Sequence, residues 1–326
     1  MNRRRTLAAA LAASLLAAPF GALAQASSRA LRVGILVPTS PAPDDGPTRV
    51  VAALRELGYA EGRTLQVARR YAEGHLDRMP AMARELAQSG TDVLVVVGSA
   101  GVRAAKESTS TLPVVFYGNF DPVAEGLVAS LARPGGNMTG VLIAADGTLA
   151  AKRLELLKET VPRTTRVAAL FPDDPNARLQ LQEVRRAAAA SGIELQVVEV
   201  RGGDYERAFA SIAAGKPGAL FVAGHTYFVR DRRRIIELAA KHRLPATYEW
   251  PEQAEAGGLM SYGSSLSELY RRVAGHVDRI AKGAKPGELP IEQPTKYELV
   301  VNLKTARALD LAIPAAILQR ADRVIE

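Results

Sequence analysis

Short apolar runs alternate with amphipathic segments along most of the chain. Leu31-Arg32-Val33-Gly34-Ile35-Leu36-Val37 stops at Pro38 and does not alternate cleanly, as suits a parallel strand buried on both faces. Over 48–57, Val50, Val51, Leu54 and Leu57 fall on one helical stripe that Gly58 ends. The pattern next predicts a strand over 65–71 and a helix over 76–88 with Met79, Met82, Ala83 and Leu86 on one side. A strand over 92–97, a helix from Gly98 through Ser108 and a strand over 113–117 follow.

The alternation then starts again. Strands are expected over 166–171, 193–200, 219–222 and 245–248, with helices over 176–190, 205–214 and 228–242. Strand–helix repetition of this kind means parallel sheets with right-handed crossovers, and two successive series mean two lobes. The fold class is therefore α/β, with two parallel-sheet lobes joined near Ala144 to Gly147. The tail predicts a long helix over 266–282, a Gly/Pro-rich stretch over 283–294, a strand over 297–301 and two short helices. A tail returning to both lobes crosses the joint repeatedly and makes a multi-strand hinge with a defined axis. The expected division is 27–145 plus about 263–290 for the N-terminal lobe, and 146–262 plus about 291–326 for the C-terminal lobe.

The first residues follow a different logic. Arg3, Arg4 and Arg5 precede an apolar run to Leu16, and Ala24-Gln25-Ala26 closes the segment. That is the pattern of a secretory signal peptide over 1–26, cut after Ala26 with Ala24 as second choice. Its apolar core is shorter than the roughly 20 residues a membrane-spanning helix needs. Arg4-Arg5-Thr6-Leu7 also fits a twin-arginine exporter, but any Arg-rich start does, and the general export pathway is preferred. The mature chain is expected to be soluble.

Composition narrows the function classes. Cysteine is absent, which excludes disulfides, thiolate metal sites, a cysteine nucleophile and a lipidated cysteine. The net charge of +8 includes the leader arginines and is not gathered on one face, so nucleic acid is not an expected partner. Arg230-Asp231-Arg232-Arg233-Arg234 reads as the solvated start of a helix. His75, His225, His242 and His276 are scattered, and no HExxH, GxSxG or GxxxxGK[ST] occurs. No metal or cofactor is expected and no catalytic constellation is visible. Pro134-Gly135-Gly136-Asn137 reads as a turn.

In open parallel sheets, ligands bind beyond the carboxyl ends of the strands. Those ends carry Thr39 and Ser40; Gly98, Ser99 and Ala100; Gly118, Asn119, Phe120 and Asp121; Gly224, His225, Thr226, Tyr227 and Phe228; and Glu249 and Trp250. Ser261-Tyr262-Gly263 is expected after a further short strand. Tyr117, Tyr227, Tyr248, Trp250 and Tyr262 are candidate aromatic cleft walls, whereas Phe120 and Phe228 fit packing under loops. Gly98-Ser99-Ala100 opens a helix whose free N–H groups favour a carboxylate or phosphate, with the Ser99 hydroxyl as donor or as N-cap. Asp121 and Glu249 are candidate acceptors for a ligand ammonium; Asp121 before Pro122 equally fits an N-cap. His225 is either a base or a hydrogen-bonding wall.

The stretches AEGHLDRMPAMARELAQSGTDVLVVVGS, DPVAEGLVASLARPGGNMTGV and EQPTKYELVVNLKTARALDLAIP resemble the periplasmic substrate-binding components of ABC-type transporters, in the group that includes tryptophan- and tyrosine-binding proteins. The resemblance covers nearly all of the mature chain. It implies the type I periplasmic-binding-protein fold, with two Rossmann-like lobes, three hinge strands and a small organic ligand between them. It also implies delivery to an ABC permease with its ATPase by a periplasmic protein, expected to be a monomer. In such proteins the Gly98-Ser99-Ala100 helix start holds a carboxylate, and loops at Asn119, Asp121, His225–Tyr227 and Tyr248–Trp250 line the cleft. Here Thr39-Ser40-Pro41-Ala42-Pro43-Asp44-Asp45 replaces the usual shorter turn. Alternatives sharing the lobed fold are a sensor subunit for a signalling receptor and an exported enzyme. A LacI-like regulator is disfavoured by the leader and by the lack of an N-terminal helix-turn-helix.

Overall fold

The structure is a computed structural model that describes residues 29–43, 45–143, 148–174 and 177–326. The expected signal peptide, the joint at Ala144–Gly147, Asp44 and the helix start at Asn176 lie outside the described residues.

Two sheets form. The first runs β2-β1-β3-β4-β5 and is parallel throughout, built from β1 (Leu31–Val37), β2 (Leu65–Tyr71), β3 (Val93–Val97), β4 (Val114–Gly118) and β5 (Met138–Leu142). At its centre β3 is apolar and buried at every position because helices cover both faces. Val33, Ile35 and Val37 meet Leu54 of α1 (Gly46–Glu56), and Leu36 on the other face meets Leu86 of α2 (Met79–Gln88) and Val102 of α3 (Gly98–Ser108). Asp45 caps α1 by accepting from the Thr48 N–H at 2.9 Å, and Pro47 occupies its first turn. Gly140 is forced by packing, since a Cβ there would lie 2.2 Å from the Phe116 carbonyl oxygen.

The second sheet runs β12-β11-β10-β9-β8-β6-β7. Its strands are β6 (Arg166–Pro172), β7 (Glu194–Val200), β8 (Ala219–Val222), β9 (Ala246–Tyr248), β10 (Met260–Gly263), β11 (Glu298–Asn302) and β12 (Arg323–Ile325). α4 (Thr148–Thr160), α5 (Arg178–Ala190) and α6 (Tyr205–Ala214) contribute Leu154, Val184 and Phe209 to its core.

Four expectations are corrected here. The β10–β11 pair is antiparallel, so this sheet is not wholly parallel. Ser261, Tyr262 and Gly263 lie inside β10 rather than after it. The single helix expected over 228–242 is two, α7 (Thr226–Arg230) and α8 (Arg232–Lys241). Asp231 interrupts them because its carboxylate takes both the Tyr205 hydroxyl, at 2.6 Å, and the Arg230 guanidinium. For the same reason Arg230 is half-buried rather than solvated. α9 (Pro251–Glu255) and β12 were not foreseen.

After β10 the chain returns to the first sheet. α10 (Leu266–Ala281) is capped by Ser265 and lays Leu269, Tyr270, Val273 and Val277 against α1 and β3–β5. Glu292 then adds a bridge beside β5, its N–H bonding the Gly140 carbonyl at 2.9 Å and its carbonyl the Leu142 N–H at 2.8 Å. Only afterwards does the chain rejoin the second sheet as β11, followed by α11 (Leu303–Ala308) and α12 (Ala315–Arg320). Between the sheets it therefore passes after β5, after β10 and before β11.

Candidate functional site: the interlobe cleft

The carboxyl ends of both sheets face one cavity lined from the two sides. The first lobe contributes Gly98, Ser99, Ala100, Gly118 and Asn119, and the second contributes Asp174, Gln180, Gly224, His225, Thr226, Tyr227 and Trp250. Polar groups convergent on an otherwise apolar concavity are the usual make-up of a small-molecule site.

Gly98 has φ +72°, a backbone conformation that lets β3 pass into α3 without a connecting loop. No side chain caps α3, so its first amides point at the cavity beside the buried Ser99. Such an end attracts an anion through its N–H groups and the helix dipole.

The second lobe presents the opposite charge. Asp174 lies at the end of β6 and contacts His225 Nε2 at 3.0 Å. His225 Nδ1 accepts from the Tyr227 N–H at 3.3 Å, so the ring proton belongs on Nε2 and is donated to Asp174. Gln180 reaches in from α5, its Oε1 accepting from the Gly224 N–H at 2.8 Å and its Nε2 donating to the Gly224 carbonyl at 3.4 Å. Behind it Arg153 donates to Gln180 Oε1 and to the Val222 carbonyl, both at 3.2 Å, and meets Glu249 at 3.4 Å. Burial raises the Glu249 carboxyl, opposed by Arg153 and His225, and burial lowers the Arg153 guanidinium, opposed by Glu249.

Most sequence-derived candidates come together here: Gly98, Ser99, Ala100, Asn119, His225, Thr226, Tyr227 and Trp250 share the cavity. The rest go elsewhere. Ser40 lines a separate rim cavity with Glu73, Tyr205 and Tyr227. Asp121 is exposed and accepts from the Val123 and Ala124 N–H groups, both at 3.0 Å, so it caps a turn. Glu249 faces Arg153 rather than a ligand. Tyr248 is buried in the second-lobe core, where burial raises its phenol, and Tyr262 packs on Tyr297 with ring centroids 6.2 Å apart. Tyr117 lines a chamber behind Trp250, with burial and its neighbours Tyr270, Asp45 and Tyr71 holding its hydroxyl well above the phenol range.

Asp174 and Gln180 were missed. The strand-end rule applied to β6 points to Asp174; Gln180, inside a helix, carries no such signal.

Comparison with known proteins agrees with this architecture. The family model described as ABC transporter substrate binding protein matches residues 32–325. A tyrosine-binding protein of Clostridioides difficile is 22% identical over 272 residues, covering 83% of this chain and 78% of its own. A crystal structure of a conserved domain protein from Vibrio cholerae superposes with TM-score 0.78 at 25% identity, covering 91% of this chain and 100% of that one. A Streptococcus ABC domain in complex with L-Trp superposes with TM-score 0.76 at 24% identity over the same shares. Periplasmic binding proteins and a leucine-binding protein also share the fold at lower identity.

Proposed function

The chain belongs to the ABC transporter substrate-binding protein family, and from that premise we propose that it captures a free α-amino acid in its cleft and delivers it to an ABC permease with its ATPase. The observation that carries this reading is the opposition across one cavity of an uncapped helix start and a carboxylate. The amides of Gly98, Ser99 and Ala100 take the ligand carboxylate, with the Ser99 hydroxyl as a further donor. Asp174, oriented by His225 Nε2–H, takes the ligand ammonium. Asn119 and Tyr227 close the two sides.

Because carboxylate and ammonium lie on different lobes, a ligand carrying both stabilises the closed arrangement, and one carrying a single group does not. The tyrosine-binding relative and the L-Trp complex support an amino-acid cargo. The leader-like start supports export to the periplasm; among the described residues no helix is long and apolar enough to cross a membrane. Binding and release, not turnover, is the activity this arrangement serves.

A thermal-shift screen over amino acids and aromatic acids, followed by calorimetry, tests the reading. Amino acids should raise the melting point by mass action, about 2.7 kcal/mol of stabilisation at a hundredfold excess over Kd. Ser99→Asp should abolish this by like-charge repulsion, and Asp174→Asn should weaken binding at least about tenfold. Undiminished affinity in Ser99→Asp, or equal binding of the deaminated acid, overturns the assignment.

A further inference from the structure

Two side chains of the second lobe are seated against the core of the first. Trp250 follows β9, yet it is buried in the apolar cluster of Val37, Val97, Tyr117 and Tyr270 rather than in that of its own sheet. Val229 of α7 packs against the same cluster and shares the chamber behind Trp250 with Thr39, Asp45, Gly46 and Pro47, where α1 begins. Val97, Ile143, Thr226 and Trp250 line both that chamber and the cleft, whereas Val229 lines the chamber alone.

α7 presents Val229 rigidly, because both its ends and its Phe228 are tied to the second lobe. Its cap His225 bonds Asp174, and Asp231 beyond its last turn takes the Tyr205 hydroxyl at 2.6 Å. Phe228 is buried in the second-lobe core, its ring centroid 6.2 Å from that of Tyr205. Consecutive side chains thus face three ways: Tyr227 to the cleft, Phe228 inward and Val229 to the other lobe. Apolar surface buried between lobes returns to water when they part, so the Val229 contact favours the closed arrangement whatever the ligand. Apparent affinity falls with the fraction of the free protein that is competent to bind.

We propose that Val229 is a positioning residue for binding. By docking on the first lobe it holds part of the free protein closed, with His225 and Asp174 opposite the Gly98–Ala100 amides, and raises affinity without touching the ligand. This rests on the closing-cleft reading of the function and adds to it a contact that is indifferent to cargo.

The test compares the wild type with Val229→Ala and Val229→Asp. Pulsed spin-label distances are measured across the cleft mouth from nitroxides at Asp77→Cys and Leu179→Cys. The chain has no other thiol, and both positions are exposed beside the cleft-lining Leu76 and Gln180. In the free protein the short-distance population should fall severalfold in Val229→Asp, whose charge would enter an apolar seat near Asp45. It should recover at saturating amino acid, which also shows that the variant folds. Calorimetry with L-alanine and L-phenylalanine should show Val229→Ala weakening both by the same factor, about fivefold for two partly buried carbons. Val229→Asp should weaken both at least about thirtyfold. Equal short-distance populations in the free wild type and free Val229→Asp, or losses that differ between the two amino acids, overturn the proposal. If neither amino acid binds the wild type, the head-group reading falls and the distances decide this one alone.

Discussion

The Arg153 guanidinium and the Glu249 carboxylate meet at 3.4 Å inside the second lobe, with side chains 1% and 2% exposed. Neither touches the cleft, yet the pair positions it. Arg153 holds Gln180, Gln180 holds both polar atoms of the Gly224 backbone, and Gly224 leads directly to His225. The pair leaves no room for a side chain at 224, where a Cβ would lie 1.3 Å from Glu249 Oε2.

Glu249→Ala should therefore cost about 3–5 kcal/mol in chemical denaturation, because it strands a buried charge. The double variant Arg153→Met with Glu249→Leu should recover most of that stability while losing ligand affinity, since Gln180 loses its anchor. A Glu249→Ala protein as stable as wild type would show that the pair is dispensable.

Gly98→Ala separates local strain from ligand contact. The position has φ +72° and no atom near a would-be Cβ, so the cost in stability should be about 1–2 kcal/mol, from backbone conformation alone. The loss in ligand affinity should be larger, because the new methyl group stands where the proposed carboxylate contact with the helix start is made. Equal losses in calorimetry and in denaturation would contradict this.

His276 makes the third crossing sensitive to acid. It is fully buried on α10, with Glu292 Oε1 3.4 Å from Nε2 and Arg279 3.3 Å from Nδ1; Arg272 also reaches Glu292. Burial, assisted by Arg279 and opposed by Glu292, lowers its pKa from 6.5 to about 4. The unfolded chain thus binds this proton between about pH 6.5 and 4 while the native state does not. Stability should fall as pH drops through that window, by up to about 3 kcal/mol from this group, and be insensitive to it above. His276→Asn should flatten that part of the pH profile of the melting point, and an unchanged slope would exclude His276 as its source.

Trp250 is the single tryptophan and lies in the partition between the two chambers. Its emission should be blue-shifted before ligand is added and should change in intensity or position on saturation. An unaltered spectrum at saturation by a ligand shown to bind calorimetrically would take Trp250 out of the binding region.

The sequence and the structure agree where local physics decides. β1, β2, β8 and α6 begin and end where apolar runs and turn residues place them, and the rule about strand ends brings Gly98–Ala100, Asn119, His225–Tyr227 and Trp250 into one cavity. Agreement fails where long-range pairing decides. Nothing local reveals that Asp231 recruits Tyr205 and Arg230 and so breaks a helix, or that Glu249 looks away from the cleft toward Arg153. Tyr248 and Tyr262 show the limit of counting aromatics, because one lies within a strand facing the core and the other packs on Tyr297. Asp174 was reachable, since it ends a strand like the others.

The return of α10 to the first sheet has a consequence for how the molecule is made. Val273, Val277 and their neighbours seal the face formed by Val33, Ile35 and Val95, yet they follow β10 of the other sheet in sequence. A chain threaded out amino end first exposes that apolar face until almost all of it has emerged. Assembly of the leading half must then wait for the trailing half, and a nascent chain halted midway would be a natural client for a holding chaperone.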